Sequence, residues 1–309
     1  MKKLNVLLIT SKFPRLKGDP QPPFTYDLAK KLVKENCIVH VIAPHAPGAK
    51  KHEKFEGIFI HRFKYFFPSN LEKLAYGPGI PANIRTSFLA KLQIPFFLLS
   101  EIIFSKSIIK KINPDLVHVH WAIPQGISAL FLKKPFIVTT YGGEVFLSKN
   151  FHITPIFNHI IKKSKTTYAI TQGLKSIMNE FGIKGNIEVI PLGVDLDKFR
   201  PNISGWKEVK SKYCKKDEQM ILCVGRLVEK KGIQYLLPAF SEVLKKIPKC
   251  KLVIVGDGYL NNSLKEQTKK LGLENKVFFT KEISHKDLPK YYCAADLFVL
   301  PSIIDKTGN

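Results

Sequence analysis

An apolar run, Q-M-I-L-C-V, ends at Val224; Gly225 follows it, and two cations, Arg226 and Lys231, stand just beyond. A glycine at a strand end lets backbone approach a ligand closely. Fixed cations beside free backbone N–H groups suit a diphosphate. Further on, V-I-V-G-D-G-Y supplies Gly256 and Gly258, a G-x-G without a third glycine because Asn261 holds that place. A tight strand-to-helix turn and a ligand contact are both open readings there. In the first half, V-H-V-H-W sets His118 and His120 at the end of an apolar strand, where they are expected to point to opposite faces. One should be a partnered core histidine. His120, nearer the strand's carboxyl end and followed by Trp121, is the candidate for ligand contact. No third ligand follows at a regular metal-binding spacing. Asp195-Leu196-Asp197 is a formal D-x-D, but it follows a Pro-Leu-Gly turn and reads as structural.

Such residues need elements to hold them. Apolar runs rich in Val and Ile recur at 4–10, 37–43, 57–63, 115–119, 135–140, 166–170 and 186–190. They continue at 219–224, 250–255, 275–279 and 295–300. Several are apolar throughout, as strands buried on both faces are. Helical patterns lie between them: Phe24, Leu28 and Leu32 recur every four residues, and Leu260, Leu264 and Leu271 share a stripe. Strand–helix alternation predicts doubly wound parallel sheets with right-handed crossovers. The pattern pauses after V-I-P-L-G-V-D-L-D-K-F-R-P, which predicts one domain over 1–203 and a second over 204–309. Residues 84–112 are apolar on much of their circumference with lysines at the end. A buried helix pair and a membrane-surface contact are both open for them.

Apolar residues make 45% and charged residues 24% of the 309, ordinary values for a globular protein. The excess of 49 Lys+Arg over 25 Asp+Glu is not ordinary and points to nucleic acid, an anionic membrane or phosphorylated ligands. No helix-turn-helix, aromatic RNP-like strand or zinc module accompanies the charge, so no nucleic acid is expected. Five cysteines without paired spacing predict a reducing, cytoplasmic setting. The start, M-K-K-L-N-V-L-L-I-T, has a short core interrupted by Asn5 and reads as a buried strand, not a signal peptide. The longest apolar region is broken by Pro95 and Glu101, so no transmembrane span is expected.

Taken together, V-G-R-L-V-E-K-K-G at 224–232, V-I-V-G-D-G at 253–258 and A-D-L-F-V-L-P-S at 295–302 resemble glycosyltransferase family 4 of the group 1 type. So do V-I-P-L-G-V-D-L-D-K-F-R-P at 189–201 and V-H-V-H-W-A-I-P-Q-G at 117–126, and the order holds over essentially the whole chain. The resemblance implies retaining enzymes of α/β, GT-B fold: two Rossmann-like doubly wound domains facing across a cleft. It implies an acceptor held by the first and a nucleotide-sugar donor held by the second. Arg226 and Lys231 would then pair with the donor diphosphate and stabilise the leaving group, with no metal or other cofactor needed. Gly225, Gly256 and Gly258 would lie against the donor. Gly18 and Asp19, in F-P-R-L-K-G-D-P, occupy the place of the family's glycine-containing loop and become candidate contacts to donor phosphate or acceptor. Where the family has His-Gly-x-Asp or Glu, this chain has Tyr141-Gly142-Gly143-Glu144. Glu144 remains a candidate acceptor-hydroxyl ligand beside His120. Tyr141 can donate a hydrogen bond, but a phenol titrating near 10 is a poor replacement for imidazole.

The resemblance also implies that the donor site continues beyond L-P-S-I-I-D-K-T-G-N with a glycine turn and a helix bearing two glutamates. Only four strand candidates fall in the second part, against about six in a full doubly wound domain. The second domain is therefore expected to be incomplete, either a fragment of a longer reading frame or a natural shortening. The function expected is transfer of a sugar from a nucleotide diphosphate to a saccharide or lipid-linked acceptor at the inner membrane surface. A non-catalytic nucleotide-sugar-binding remnant and a sugar-nucleotide epimerase are the alternatives.

Overall fold

The computed structural model describes residues 3–16, 19, 24–77 and 79–304. By contact the chain divides into two units, Met1–Leu192 and Gly193–Asn309. The break falls before the boundary expected at 203. The reason is that 193–203 is tied to the second unit: the Cys293 thiol donates to the Arg200 carbonyl, and Phe199 meets Tyr292 edge-on. Asp195 accepts the Asp197 N–H at 3.2 Å and pairs with Lys198, so the D-x-D closes a turn.

The first unit begins with β1 (Asn5–Ile9), the segment that mimics a signal core, and its last four residues are buried. Helix α1 (Phe24–Lys34) crosses to β2 (Ile38–Pro44), and a hairpin of β3 (His52–Phe55) and β4 (Ile58–Phe63) follows. Three helices come next: α2 (Ile80–Thr86), α3 (Phe88–Leu92) and α4 (Ile94–Ile112). Then β5 (Leu116–His120), α5 (Gln125–Leu130), β6 (Phe136–Thr140), α6 (Gly143–Asn150) and α7 (Thr154–Lys163) alternate. The unit closes with β7 (Thr167–Ala169), α8 (Gln172–Glu180) and β8 (Ile187–Val189). The sheet order is β3-β4-β2-β1-β5-β6-β7-β8, parallel except for β3. Strand β3 was not expected, because H-E-K-F is polar and pairs antiparallel on the sheet edge. Two apolar clusters cover the sheet's faces, one around Leu7, Val117 and Val138, the other around Leu8, Val39 and Val41.

The second unit runs α9 (Trp206–Tyr213), β9 (Gln219–Val224), α10 (Ile233–Lys246) and β10 (Cys250–Val255). It continues with α11 (Asn261–Lys270), β11 (Val277–Phe279), α12 (Leu288–Ala294) and β12 (Leu297–Phe298). All pairings are parallel, in the order β11-β10-β9-β12. In both sheets the first strand of the unit has outward-running neighbours on each side. The crossover direction therefore reverses beside β1 and beside β9, and open α/β sheets bind ligands at the carboxyl ends next to such points.

Candidate functional site

In the first unit the site gathers at the carboxyl ends of β5 and β6. His118 and His120 do not face opposite ways: their rings stack with centroids 4.3 Å apart. Positions two apart on a pleated strand share a face, which corrects the expectation from sequence. His118 is a partnered core histidine, with its Nε2 2.8 Å from Thr139 Oγ1. Burial pushes it down to about 4. His120 is almost wholly buried, with Nδ1 2.6 Å from the Tyr141 hydroxyl and no partner for Nε2 among the described residues. Burial and then the His118 ring hold His120 well below its ordinary range, so it is neutral. Burial and then the Glu144 carboxylate push the Tyr141 phenol up, so it keeps its proton. A protonated phenol whose one polar neighbour is Nδ1 donates to that nitrogen. The His120 proton then sits on Nε2, a buried donor that none of the described residues satisfies.

Tyr141 therefore does not stand in place of an imidazole. It orients one that comes from the next strand. Gly142, at φ +99, turns the chain from β6 into α6, a left-handed conformation that glycine adopts freely. The turn brings Glu144 back so that its Oε1 accepts the Tyr141 N–H at 2.9 Å. Burial pushes this carboxyl up to about 7, against the opposing pull of the backbone N–H groups of Glu144, Tyr141 and Ala122. Its Oε2 has no partner among the described residues. A buried polar atom left unpaired costs about 1–3 kcal/mol. Two such atoms, one at the end of β5 and one in the first turn of α6, are open to hydroxyl groups. Trp121 beside them is held at φ +73, a strained conformation for a bulky residue, and its ring lies 4.9 Å from Tyr141. Phe24, opening α1, meets the same tyrosine ring at 4.9 Å and walls this corner.

Asp19 has a different role. Its carboxylate accepts from both Nε (2.7 Å) and Nη2 (2.9 Å) of Arg15, so it is committed to that pair. Arg62, fully buried, donates to the Pro14 carbonyl at 2.9 Å and pairs with Glu53, which fixes the segment after β1. Gly18 lies outside the described residues.

In the second unit, Gly225 continues β9 and donates to the Val255 carbonyl at 2.9 Å. A side-chain carbon built on it would meet Leu300 at 3.6 Å and the Lys231 stem at 3.8 Å, ordinary contacts. Glycine is thus not forced there by the unit itself. Elsewhere it is. Gly232, at φ +67, leads into α10, and an added carbon would overlap the Pro301 carbonyl. An added carbon at Gly256 (φ +140) would overlap the Gly225 carbonyl, and one at Gly258 the Leu227 carbonyl. Gly256 and Gly258 therefore bring two strand-end loops together, the turn reading of that G-x-G. Arg226 is exposed and Lys231 half-buried, and neither side chain has a hydrogen bond or ion pair among the described residues. Lys231 lies close enough to Cys223 to oppose the burial that pushes that thiol up to about 11. Two unpaired cations thus flank the end of β9.

Glu101 was missed in the sequence. It is fully buried in α4, accepts from Ser128 Oγ of α5 at 2.6 Å, and is pushed up to about 7 by that burial. The one signal was its being the sole acid in 84–112. Among the described residues no group of three His, Cys, Asp or Glu side chains is placed to hold a metal ion. His40, His61 and His52 come nearest, but they form a line with N···N distances of 3.1 Å and do not converge.

The family model described as Glycosyltransferase Family 4 matches residues 23–198, more than half of the chain. The chain belongs to Glycosyltransferase Family 4. The model for Glycosyl transferases group 1 matches residues 206–308. Among curated proteins, the chain is 30% identical over 224 residues to alpha-monoglucosyldiacylglycerol synthase of Streptococcus pneumoniae, covering 66% of this chain and 51% of that one. It is 33% identical over 170 residues to a GDP-mannose-dependent alpha-(1-6)-phosphatidylinositol monomannoside mannosyltransferase of Mycolicibacterium smegmatis, covering 53% and 44%. The chain thus spans about half the length of the curated relatives it matches. Among solved structures, sucrose-phosphate synthase of Thermosynechococcus elongatus superposes with a TM-score of 0.74 at 18% identity, covering 97% of this chain and 76% of that one. Anabaena HepE in complex with UDP and glucose does so at 0.68 and 16%, covering 96% and 74%. These likenesses carry the fold, and the α/β GT-B class expected from the sequence is the one found.

Proposed function

We propose that this member of the family transfers a sugar, with retention of configuration, from a nucleotide diphosphate-sugar to a saccharide or lipid-linked acceptor. The observation that carries the reading is the pair of unpaired cations, Arg226 and Lys231, at the reversal point beside β9. A departing nucleoside diphosphate gains negative charge in the transition state, and fixed cations at that place stabilise it more than they stabilise the bound donor. In this reading the side chains supply the positive charge and no metal takes part. His120 Nε2–H and Glu144 Oε2 hold sugar or acceptor hydroxyls; burial keeps His120 neutral, and Tyr141 keeps it correctly turned. The names of the two curated relatives, a glucosyldiacylglycerol synthase and a phosphatidylinositol monomannoside mannosyltransferase, support a glycolipid or cell-surface polysaccharide setting. With the basic charge they also support work at the cytoplasmic face of an anionic membrane. Among the described residues no helix is long and apolar enough to cross one.

The test is incubation of the protein with labelled UDP- and GDP-sugars, membranes and EDTA. Transfer that persists in EDTA is expected. Arg226→Ala and Lys231→Ala should each lower it by roughly 10²–10³-fold, the usual loss of one transition-state charge contact. Both variants should keep the wild-type melting temperature, because neither side chain has a hydrogen bond or ion pair to lose among the described residues. No transfer and no donor hydrolysis across the panel would sink the reading. Conversion of the donor without any acceptor would replace it with an epimerase.

A further inference from the structure

Helices α3 and α4 join through Gln93, whose φ −77 and ψ −14 keep the helical path. Positions 88, 92, 96, 99 and 103 then recur at helical spacing and fall on one side of the joined rod. They are Phe88, Leu92, Phe96, Leu99 and Ile103, and all five are exposed: Phe88 by 81%, Leu99 by 57% and Ile103 by 60%. The opposite side is the one the fold uses, with Phe97, Glu101, Ser105, Ile108 and Ile109 buried. The sequence left a buried helix pair and a surface contact as alternatives, and each describes one face. The apolar stripe widens at Phe66, whose ring meets Phe96 at 5.8 Å, and at Phe67, which is 92% exposed. A contiguous apolar surface of this kind on a globular unit marks an interaction site.

The charges around it select the partner. Lys91, Lys106, Lys110 and Lys111 are exposed along the same helices, and Arg85 is exposed at the end of α2. The single acid in 84–112, Glu101, is buried on the far side. Two copies meeting through this face in a twofold contact would set lysines against lysines with no carboxylate between them. An anionic lipid surface satisfies both features, taking the apolar side chains below the headgroups and the ammonium groups at phosphate level. We infer that the Phe88–Ile103 stripe with its flanking lysines is a face that docks flat on an anionic bilayer. This deepens the membrane-surface reading above and rests on it, while naming the face and the lipid chemistry.

The experiment is co-sedimentation of the whole protein with phosphatidylglycerol-containing vesicles and with pure phosphatidylcholine vesicles. Binding to the first, weakening with salt, and about tenfold or weaker binding to the second are expected. Leu99→Asp with Ile103→Asp should lower binding to anionic vesicles by about tenfold or more, since charges now sit at insertion depth. Lys106→Glu with Lys110→Glu should do the same while leaving the apolar stripe whole. Both double variants keep any donor hydrolysis, because they lie outside the sites described, and keep the melting temperature to within the small loss of the exposed Lys106 contact with the Phe131 ring. Undiminished vesicle binding by both variants overturns the inference, as does equal binding to both lipids. Dimerisation of the wild type in the absence of lipid, lost in Leu99→Asp with Ile103→Asp, also overturns it in favour of a second copy. Loss of docking with donor turnover intact would leave the transferase reading standing. Docking without any turnover would sink that reading alone.

Discussion

Replacing Tyr141 by Phe removes one oxygen and tests the whole chain of inference at β5 and β6. That oxygen lies 2.6 Å from His120 Nδ1, and burial keeps the phenol protonated and the imidazole neutral. In the wild type the proton of His120 must then sit on Nε2. In Tyr141→Phe, Nδ1 has no donor among the described residues and Nε2 still has no acceptor among them. Leaving a buried acceptor unpaired costs about 1–3 kcal/mol. For a unit near 190 residues that lowers the unfolding midpoint by about 2–12 °C, at about 2–4 °C per kcal/mol. The ring shape is conserved, so contacts with Trp121 and Phe24 contribute little to the loss. Long-range ¹⁵N–¹H correlation on histidine-labelled protein reads the tautomer directly. The expected spectrum has His120 protonated on Nε2 alone, unchanged from pH 8 to 5, and two interconverting tautomers in the variant. A wild-type His120 protonated on Nδ1, or one that titrates between pH 6 and 7, would refute the reasoning. So would a variant whose stability equals the wild type's.

Two further perturbations follow from the same arithmetic of burial. Glu101 is held up to about 7 by desolvation, so below that pH the folded state carries a proton that the unfolded chain releases above about 4.5. Its folded value is raised, hence stability is greatest below pH 4.5 and falls as pH rises through 7, by about 3 kcal/mol for a shift of this size. Glu101→Gln should therefore raise the melting temperature relative to wild type at pH 8 and give little or no gain at pH 4.5; an equal difference at both would count against the buried charge. The glycines of the second unit should separate fold from function. Gly232→Ala meets the Pro301 carbonyl at a left-handed φ and should cost about 1–2 kcal/mol or more in thermal unfolding. Gly225→Ala meets ordinary contacts and should keep its stability yet weaken binding of a nucleotide diphosphate-sugar by calorimetry, because the new methyl stands beside Lys231. Retained donor affinity in Gly225→Ala would place the diphosphate elsewhere.

Most of the sheet framework was legible because strands buried on both faces must be written in Val, Ile and Leu, whatever surrounds them. β1, β2, β9 and β10 are of this kind. The edge strand β3 carries no such requirement, since H-E-K-F meets solvent on one side, and only its pairing with β4 reveals it. At the site, residue types were legible and partnerships were not. Tyr141 and Glu144 stand three positions apart in sequence, so their contact is local and could be anticipated. The bond between Tyr141 and His120 joins neighbouring strands across 21 positions, and no periodicity encodes it. Glu101 was hidden for the same reason: an acid in an apolar helix is a blemish until Ser128, on another helix, supplies its hydrogen bond.

The two candidate sites differ in a way that ligand chemistry explains. At the end of β9 the available groups are full charges, unpaired and in contact with water, where a cation keeps its hydration until an anion arrives. That suits a diphosphate, whose own charge repays desolvation of the pair. At the ends of β5 and β6 the groups are buried, and burial has pushed every one of them toward its neutral form. His118 and His120 are driven down, Tyr141 and Glu144 driven up. A sugar presents neutral hydroxyls that donate and accept, and a buried full charge would bind water better than it binds them. A neutral Nε2–H donor and a carboxyl that burial has pushed up to about 7 can each meet a hydroxyl with less charge to desolvate than an ordinary ion. A tyrosine at position 141, orienting an imidazole that comes from the next strand, then makes physical sense. Burial keeps His120 neutral, and a phenol with its proton locked on fixes which ring nitrogen carries the proton, which a second imidazole, free to exchange its own proton, would not do.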